Sequence, residues 1–145
     1  HMLSWFEKHN KFSLIIAILI AIFIFYMSSL TFASGSPGPD FRAKPILYHF
    51  FICFLFCFFL SIALLKGEKI NFFSLFLLAI IISIIYAMSD EFHQLFVPGR
   101  FCSLSDVLTD SAGILFAGLL YSFRIKFKNN PKEEYNSDLY YGLFI

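Results

Sequence analysis

The stretch Phe72–Arg100, FFSLFLLAIIISIIYAMSDEFHQLFVPGR, decides what kind of protein this is. Its first part, Phe72–Met88, has no charged side chain, while the residues that follow bring Asp90, Glu91, His93, Gln94 and Arg100 in quick succession. A bilayer core about 30 Å thick takes about 20 mostly apolar residues as a helix, and this run is long enough to cross it. Read as one helix over Phe72–Phe96, it spans about 37 Å at ~1.5 Å per residue. Its polar end then lies at or just under a membrane boundary. Pro98 closes the helix, because proline disfavours helical geometry in the residue before it.

Three more runs have the same character. They cover Phe12 to about Ala33, about Pro45 to Leu65, and about Asp106 to Phe123 or Ile125. Pro37, Gly38 and Pro39 break the chain after the first of them, and Lys66-Gly67-Glu68-Lys69 makes a tight turn that sets the second and third antiparallel. The first run is longer than the roughly 7–15-residue core of a signal peptide, which favours a retained helix, although Thr31–Gly35 has the small residues of a cleavage site. Composition agrees: 59% of the 145 residues are hydrophobic, 14% are charged, and Phe alone occurs 22 times. Soluble domains carry about 45–50% apolar and about 25% charged residues. The expected fold is therefore all-α: a polytopic membrane protein with four transmembrane helices in a bundle. A net charge of +1 and the lack of any nucleic-acid-binding signature exclude nucleic acid as a partner. Lipid is the expected one.

Lys and Arg set the expected orientation. Lys8, Lys11, Lys66, Lys69, Arg124, Lys126, Lys128 and Lys132 fall at one end of the spans, against Arg42, Lys44 and Arg100 at the other. The positive-inside rule then puts both termini in the cytoplasm and the polar cluster outside. The expected division is a transmembrane domain over 2–128 and a polar cytoplasmic tail over 129–145. His1 reads as the remnant of a cloning tag ahead of the native Met2. Cys53 and Cys57 lie one helical turn apart in an apolar run and Cys102 in a loop, and an odd count without paired spacing argues against a disulfide framework. Buried free cysteines mostly behave as small hydrophobes.

The cluster needs a reason, because an ionisable group at bilayer depth costs about 2.5–3.5 kcal/mol at the helix centre and less near the edge. Asp90 and Gln94 are four residues apart, Glu91 and Gln94 three, and Asp90 and His93 three, so they share a broad helical sector. Asp106, Asp110 and Gly113 form a stripe on the last helix, with Asp110 a full turn inside. Ser103 reads as its N-cap, and Gly113, Ala117 and Gly118 would let that helix approach a neighbour closely. The topology also brings His49, from the start of the second helix, to this face. Bland readings exist for each residue: Arg100 paired with Asp106 or Asp110, His93 and Asp106 as interfacial or helix-start groups, Ser105 as a cap. The conjunction of eight polar side chains on one face exceeds what structural pairing needs.

Ser89–Gly118, SDEFHQLFVPGRFCSLSDVLTDSAGILFAG, resembles the VanZ-like family of small integral membrane proteins, whose pattern runs acid-Glu-x-x-Gln, Pro-Gly-Arg, Ser and Asp, Asn or Asp, then spaced glycines. The residues that carry it are Asp90, Glu91, Gln94, Pro98, Gly99, Arg100, Ser105, Asp106, Asp110, Gly113 and Gly118. Ser28, Ser29 and His49 match upstream, while the family's Asp-Lys before that His is not reproduced at Ala43-Lys44. The resemblance implies a link to glycopeptide (teicoplanin) resistance and to the cell envelope, without specifying a reaction.

Two functions from different classes fit. In the first, the chain is an enzyme acting on a lipid-linked or cell-envelope substrate. Glu91 or His93 serves as general base, and Asp106 and Asp110 orient it or hold a divalent cation. Arg100 grips a phosphate or carboxylate, with His49, Asp90, Gln94 and Ser105 completing the substrate-binding set. No His-x-x-x-His or His-Glu-x-x-His spacing dictates a metal, so the cofactor stays open. In the second, the same pocket binds an anionic headgroup or peptide without turnover and modulates the envelope. Ion-coupled transport is disfavoured, because the other halves of the spans carry hardly any ionisable residue.

Overall fold

Helices α2 (Asn10–Ser29), α3 (Ala43–Leu65), α4 (Phe72–Gln94) and α5 (Leu104–Lys128) are preceded by a short α1 (Met2–Lys8). The computed structural model describes residues 2–31, 43–66, 72–100 and 102–128, and these contain helices and turns only. Each long helix is long and apolar enough to cross a membrane over Asn10–Ser29, Ile46–Leu65, Phe72–Gln94 and Leu104–Lys128. The physical reason is local. In hydrocarbon every backbone N–H and C=O must be satisfied within the segment, which a helix does and an open strand does not. The expected break at 37–39, Arg42, the side chain of Lys44, the turn at 67–69 and the tail from 129 lie outside the described residues.

Large apolar side chains point away from the bundle: Ile15, Leu19 and Ile22 on α2, Phe73 and Ile85 on α4, Leu115 and Leu119 on α5 are all exposed. On α2 and α4 the inward stripes are made mostly of small and polar residues instead, while α3 and α5 also bury Phe56, Leu60, Ile62, Ile114 and Tyr121. On α2 the buried positions are Ser13, Ala17, Ile24 and Ser28; on α4 they are Ala79, Ser83 and Ala87, running on into Asp90, Glu91 and Gln94. This inversion of the soluble pattern is what lipid-solvated helices need, since close backbone approach, not hydrophobic burial, holds them together. Ser83 donates to its own helix at Ala79 O (2.8 Å), so its hydroxyl is satisfied without a partner helix.

The four long helices run up and down. α3 packs against all the others; α2 and α5 each pack on α3 and α4, but among the described residues they do not pack on each other. The tightest seam is α3–α5. A Cβ at Gly113 would stand 2.3 Å from Phe50 O, so α5 rests on the α3 backbone itself there. Gly118 faces α4, where a Cβ would come within 3.2 Å of Phe76 and Ile80 side chains.

The ends of the helices differ from the sequence reading in physically simple ways. α4 stops at Gln94, two residues before the expected Phe96. Leu95, Phe96 and Val97 then bond back to Phe92, His93 and Gln94, three residues earlier, as the chain tightens ahead of Pro98. Val97–Arg100 is a turn closed by Arg100 N–H to Val97 O at 3.1 Å, with Gly99 at φ 81° as the position after a turn proline requires. α2 ends at Ser29 and leads into extended Leu30, short of the expected Ala33. α5 is longer than expected at both ends.

At the end of the bundle away from the turn, α1 clasps α5. Glu7, buried, bonds Lys128 Nζ at 2.6 Å and lies 3.7 Å from Arg124 Nε, while Arg124 Nη2 donates to Ser4 Oγ at 2.8 Å. α1 is too short to register as a span, and hydropathy gave no sign of it.

Candidate functional site

At the opposite end, four helix termini meet: the end of α2, the start of α3, the end of α4 and the start of α5. His49, nearly two turns into α3, faces Asp110 on α5, with Nδ1 3.1 Å from Asp110 Oδ1. With the Asp110 oxygen as acceptor, Nδ1 is the donor of this bond, which leaves Nε2 as the other ring nitrogen. Gly113 makes this pair possible, because it sits one turn beyond Asp110 against Phe50, the neighbour of His49.

Glu91 joins the pair from α4. One ring nitrogen of His49 and one carboxylate oxygen each of Glu91 and Asp110 lie within 4.8 Å of one another, and all three residues are buried. Gln94, one turn on, donates through Nε2 to both Glu91 Oε1 and Asp90 Oδ2, each at 3.1 Å. The Ser103 backbone N–H donates to Glu91 Oε2 at 3.2 Å and so ties the connection between α4 and α5 to the cluster. Asp90, Glu91 and Asp110 are exposed by only 7%, 1% and 2%. Three carboxylates this deep are expensive unless hydrogen-bonded or matched by positive charge.

Arg100 is aimed at α2. Its Nε donates to Leu30 O at 3.1 Å and its Nη2 to Met27 O at 2.6 Å, capping the last carbonyls of that helix with a cation where the helix dipole favours one. It also lines a small cavity of about 10 Å³, together with Ser28, Tyr48, His49, Asp90, Gln94 and Asp110. A water needs roughly 10–15 Å³ by this measure, so the cavity has the size of a single water. The sequence implied a pocket; the helices close it down to a water-sized space.

The other expected site residues fall elsewhere on the same rim. His93 stacks on Phe25 with ring centroids 4.6 Å apart, and its Nε2 is 3.0 Å from Ser29 Oγ, so it faces α2 rather than the His49–Glu91–Asp110 group. Asp106 is half-buried in the first turn of α5, 3.4 Å from Ser105 Oγ, and exposed Ser105 is 2.7 Å from Ser103 Oγ. Ser103 directly precedes α5, whose first backbone bonds run from Asp106 N–H and Val107 N–H to Ser103 O. Sequence reasoning missed Tyr48, whose buried hydroxyl has no hydrogen-bond partner among the described residues; Asp90, expected at the site, has its Oδ1 in the same state. A tyrosine beside His49 in an apolar helix gave no signal of its own, since its neighbours come from other helices.

Four membrane-crossing helices around a buried polar cluster near one end define a small polytopic integral membrane protein. Within that class the VanZ/LLP1 family model matches residues 12–125, and the chain belongs to the VanZ/LLP1 family. No curated protein and no solved structure matches the chain in the comparisons made with them.

Proposed function

We propose that the chain is an acid–base enzyme of the membrane rim, acting on a lipid-linked or other cell-envelope substrate. The observation that carries this reading is the His49–Asp110 bond of 3.1 Å beside buried Glu91. A carboxylate that holds Nδ1–H fixes the imidazole and leaves Nε2 to take a proton, the arrangement by which a histidine acts as general base. A neighbouring cavity of single-water size suits removal of a proton from a water or a substrate hydroxyl. His49 is therefore the base, Asp110 its positioning residue, and Glu91 the second acid–base group; His93, which faces α2, has a lesser claim. Asp106, Ser105 and Arg100 lie toward the rim, where an anionic headgroup would arrive. The excess of Lys and Arg at the other end of the spans supports an extracytoplasmic site. The glycopeptide link implied by the family resemblance supports an envelope substrate.

The test is expression of wild-type, His49→Gln, Glu91→Gln and Arg100→Ala chains in a glycopeptide-sensitive bacterium. Envelope lipids and lipid-linked precursors are profiled by mass spectrometry and teicoplanin susceptibility is measured. We expect a product that accumulates with wild type and is lost in His49→Gln and Glu91→Gln at equal membrane levels. Product formation undiminished in both variants refutes the reading. Tight binding of a headgroup with no product at all would point instead to a non-enzymatic binder.

A further inference from the structure

We propose that His49, Glu91 and Asp110 bind one divalent transition-metal ion, of the Zn2+ or Mn2+ type, at the junction of α3, α4 and α5. Three observations lead to it. First, the donor set is already gathered: one nitrogen and two carboxylate oxygens from three different helices lie within 4.8 Å of one another. A tetrahedral ion with bonds of about 2.0–2.1 Å holds its ligands about 3.4 Å apart. The His49 Nδ1–Asp110 Oδ1 pair at 3.1 Å is close to that spacing, and an ion there would displace the proton that the two atoms share without it. Glu91 reaches it by closing, at most, about 1.4 Å, within the swing of a terminal carboxylate.

Second, the surroundings contain polar atoms that the protein does not satisfy. Asp90 is 7% exposed and lines the same cavity as His49 and Asp110, yet its Oδ1 has no hydrogen-bond partner among the described residues. The Tyr48 hydroxyl, buried on the same wall, has none either. Both would be met by a water on the ion, because the cavity they line is of single-water size.

Third, the charge balance asks for a cation. Asp90, Glu91 and Asp110 are all nine-tenths buried within apolar spans; Gln94 and the Ser103 N–H bring them neutral donors, His49 bonds Asp110, and Arg100 on the wall of the same cavity sets one permanent positive charge against three carboxylates. Buried charge in a membrane protein persists when it is paired or coordinated.

The chemistry of the donors selects the ion. Ca2+ and Mg2+ prefer oxygen ligands alone, whereas imidazole with carboxylates suits Zn2+ and also Mn2+. Three protein ligands leave a coordination position for water, the pattern of a catalytic rather than a structural site. This rests on the proposed function and reassigns two of its parts: with the ion bound, His49 and Asp110 would act as its ligands in place of base and positioning residue, and the ion would make its bound water the better nucleophile at neutral pH. The binding itself is measured apart from any turnover.

The experiment uses the full chain, free of any affinity tag, purified in detergent and stripped with chelator. Separate arms are titrated with Zn2+, Mn2+ and Ca2+ by calorimetry, and bound metal is counted by mass spectrometry after gel filtration. We expect about one equivalent of Zn2+ or Mn2+ per chain and no competing Ca2+ uptake. Glu91→Gln and His49→Gln should weaken binding by roughly 100-fold or more, since even outer-shell changes cost about 10–100-fold. His93→Gln should leave it unchanged. Should a variant fail to fold, Co2+ added to the wild-type chain supplies the readout, with intense visible d–d bands expected from a low-symmetry site. Less than about 0.2 equivalents of ion on folded protein, preferential Ca2+ uptake, or undiminished affinity in Glu91→Gln overturns the proposal. A metal-free chain that still forms product removes the ion and keeps the enzyme; a metal-loaded chain without product does the reverse.

Discussion

Replacing Gly113 by alanine tests the link between helix packing and the site. The added Cβ would stand 2.3 Å from Phe50 O, 3.1 Å from Phe50 C and 3.2 Å from Phe54 N, all backbone atoms that no rotamer change can move. Relief to an ordinary contact of about 3.4 Å requires α3 and α5 to part by about 1 Å at that level. Phe50 adjoins His49 and Gly113 lies one turn from Asp110, so the same movement stretches the 3.1 Å His49–Asp110 bond toward 4 Å, beyond hydrogen-bond range. Overpacking costs about 1–3 kcal/mol. A lost bond to a charged group adds about 1.5–3, and the higher helix propensity of alanine returns about 1. The net expectation is a loss of about 3 kcal/mol. Gly118→Ala is the control: its Cβ meets only side-chain atoms of Phe76 and Ile80 at 3.2–3.3 Å, which can shift by a few tenths of an ångström. That change should be near neutral. The assay is thermal unfolding in detergent followed by a thiol-reactive dye, in a Cys102→Ser background, so that buried Cys53 and Cys57 report opening of the bundle. A Gly113→Ala midpoint equal to wild type, or no lower than that of Gly118→Ala, refutes the argument that α5 rests on the α3 backbone.

Arg100→Ala should lower the same unfolding midpoint, by about 1.5–3 kcal/mol, because it strips the charged donors from Met27 O and Leu30 O; Arg100→Lys should recover only part of this, lacking the two-pronged geometry. Glu7→Lys should release α1 from Lys128 and Arg124, seen as a shift in emission of Trp5, the single tryptophan, while Glu7→Gln should cost no more than about 1 kcal/mol because Lys128 and Arg124 can rehydrate. In intact cells a membrane-impermeant maleimide should label exposed Cys102 and spare Cys53 and Cys57; labelling of Cys102 only after lysis would invert the orientation expected from the Lys and Arg distribution. Asp110→Asn should keep a hydrogen bond to His49 but remove its charge, so product formation in the envelope assay should fall by at least 10-fold while the chain stays folded.

Much of this architecture is written locally. The runs ending in Ser29, Leu65 and Gln94 and the run beginning at Leu104 cross a membrane because of length and apolarity alone, properties of consecutive residues. The deviations come from long-range contacts or short elements. α1 is held by Glu7 to Lys128, a pair 121 residues apart. α4 tightens after Gln94 ahead of Pro98, and the carbonyls at the α2 end are taken by Arg100, 70 and 73 residues away.

The site divides in the same way. That Asp90, Glu91, Gln94, Arg100, Asp106 and Asp110 lie near one rim follows from where each stands along its span, which sequence position sets. Which of them meet depends on how each helix is rotated about its axis and how near its neighbour comes. Gly113 lets α5 settle on α3 so that Asp110 reaches His49, while the rotation of α4 turns Glu91 inward and His93 outward to Ser29 and Phe25. Depth in the membrane is a one-dimensional property, and the sequence alone determined it. Partnership is three-dimensional, and only the packed helices decided it, because in lipid the close fit of small residues sets helix rotation where hydrophobicity cannot.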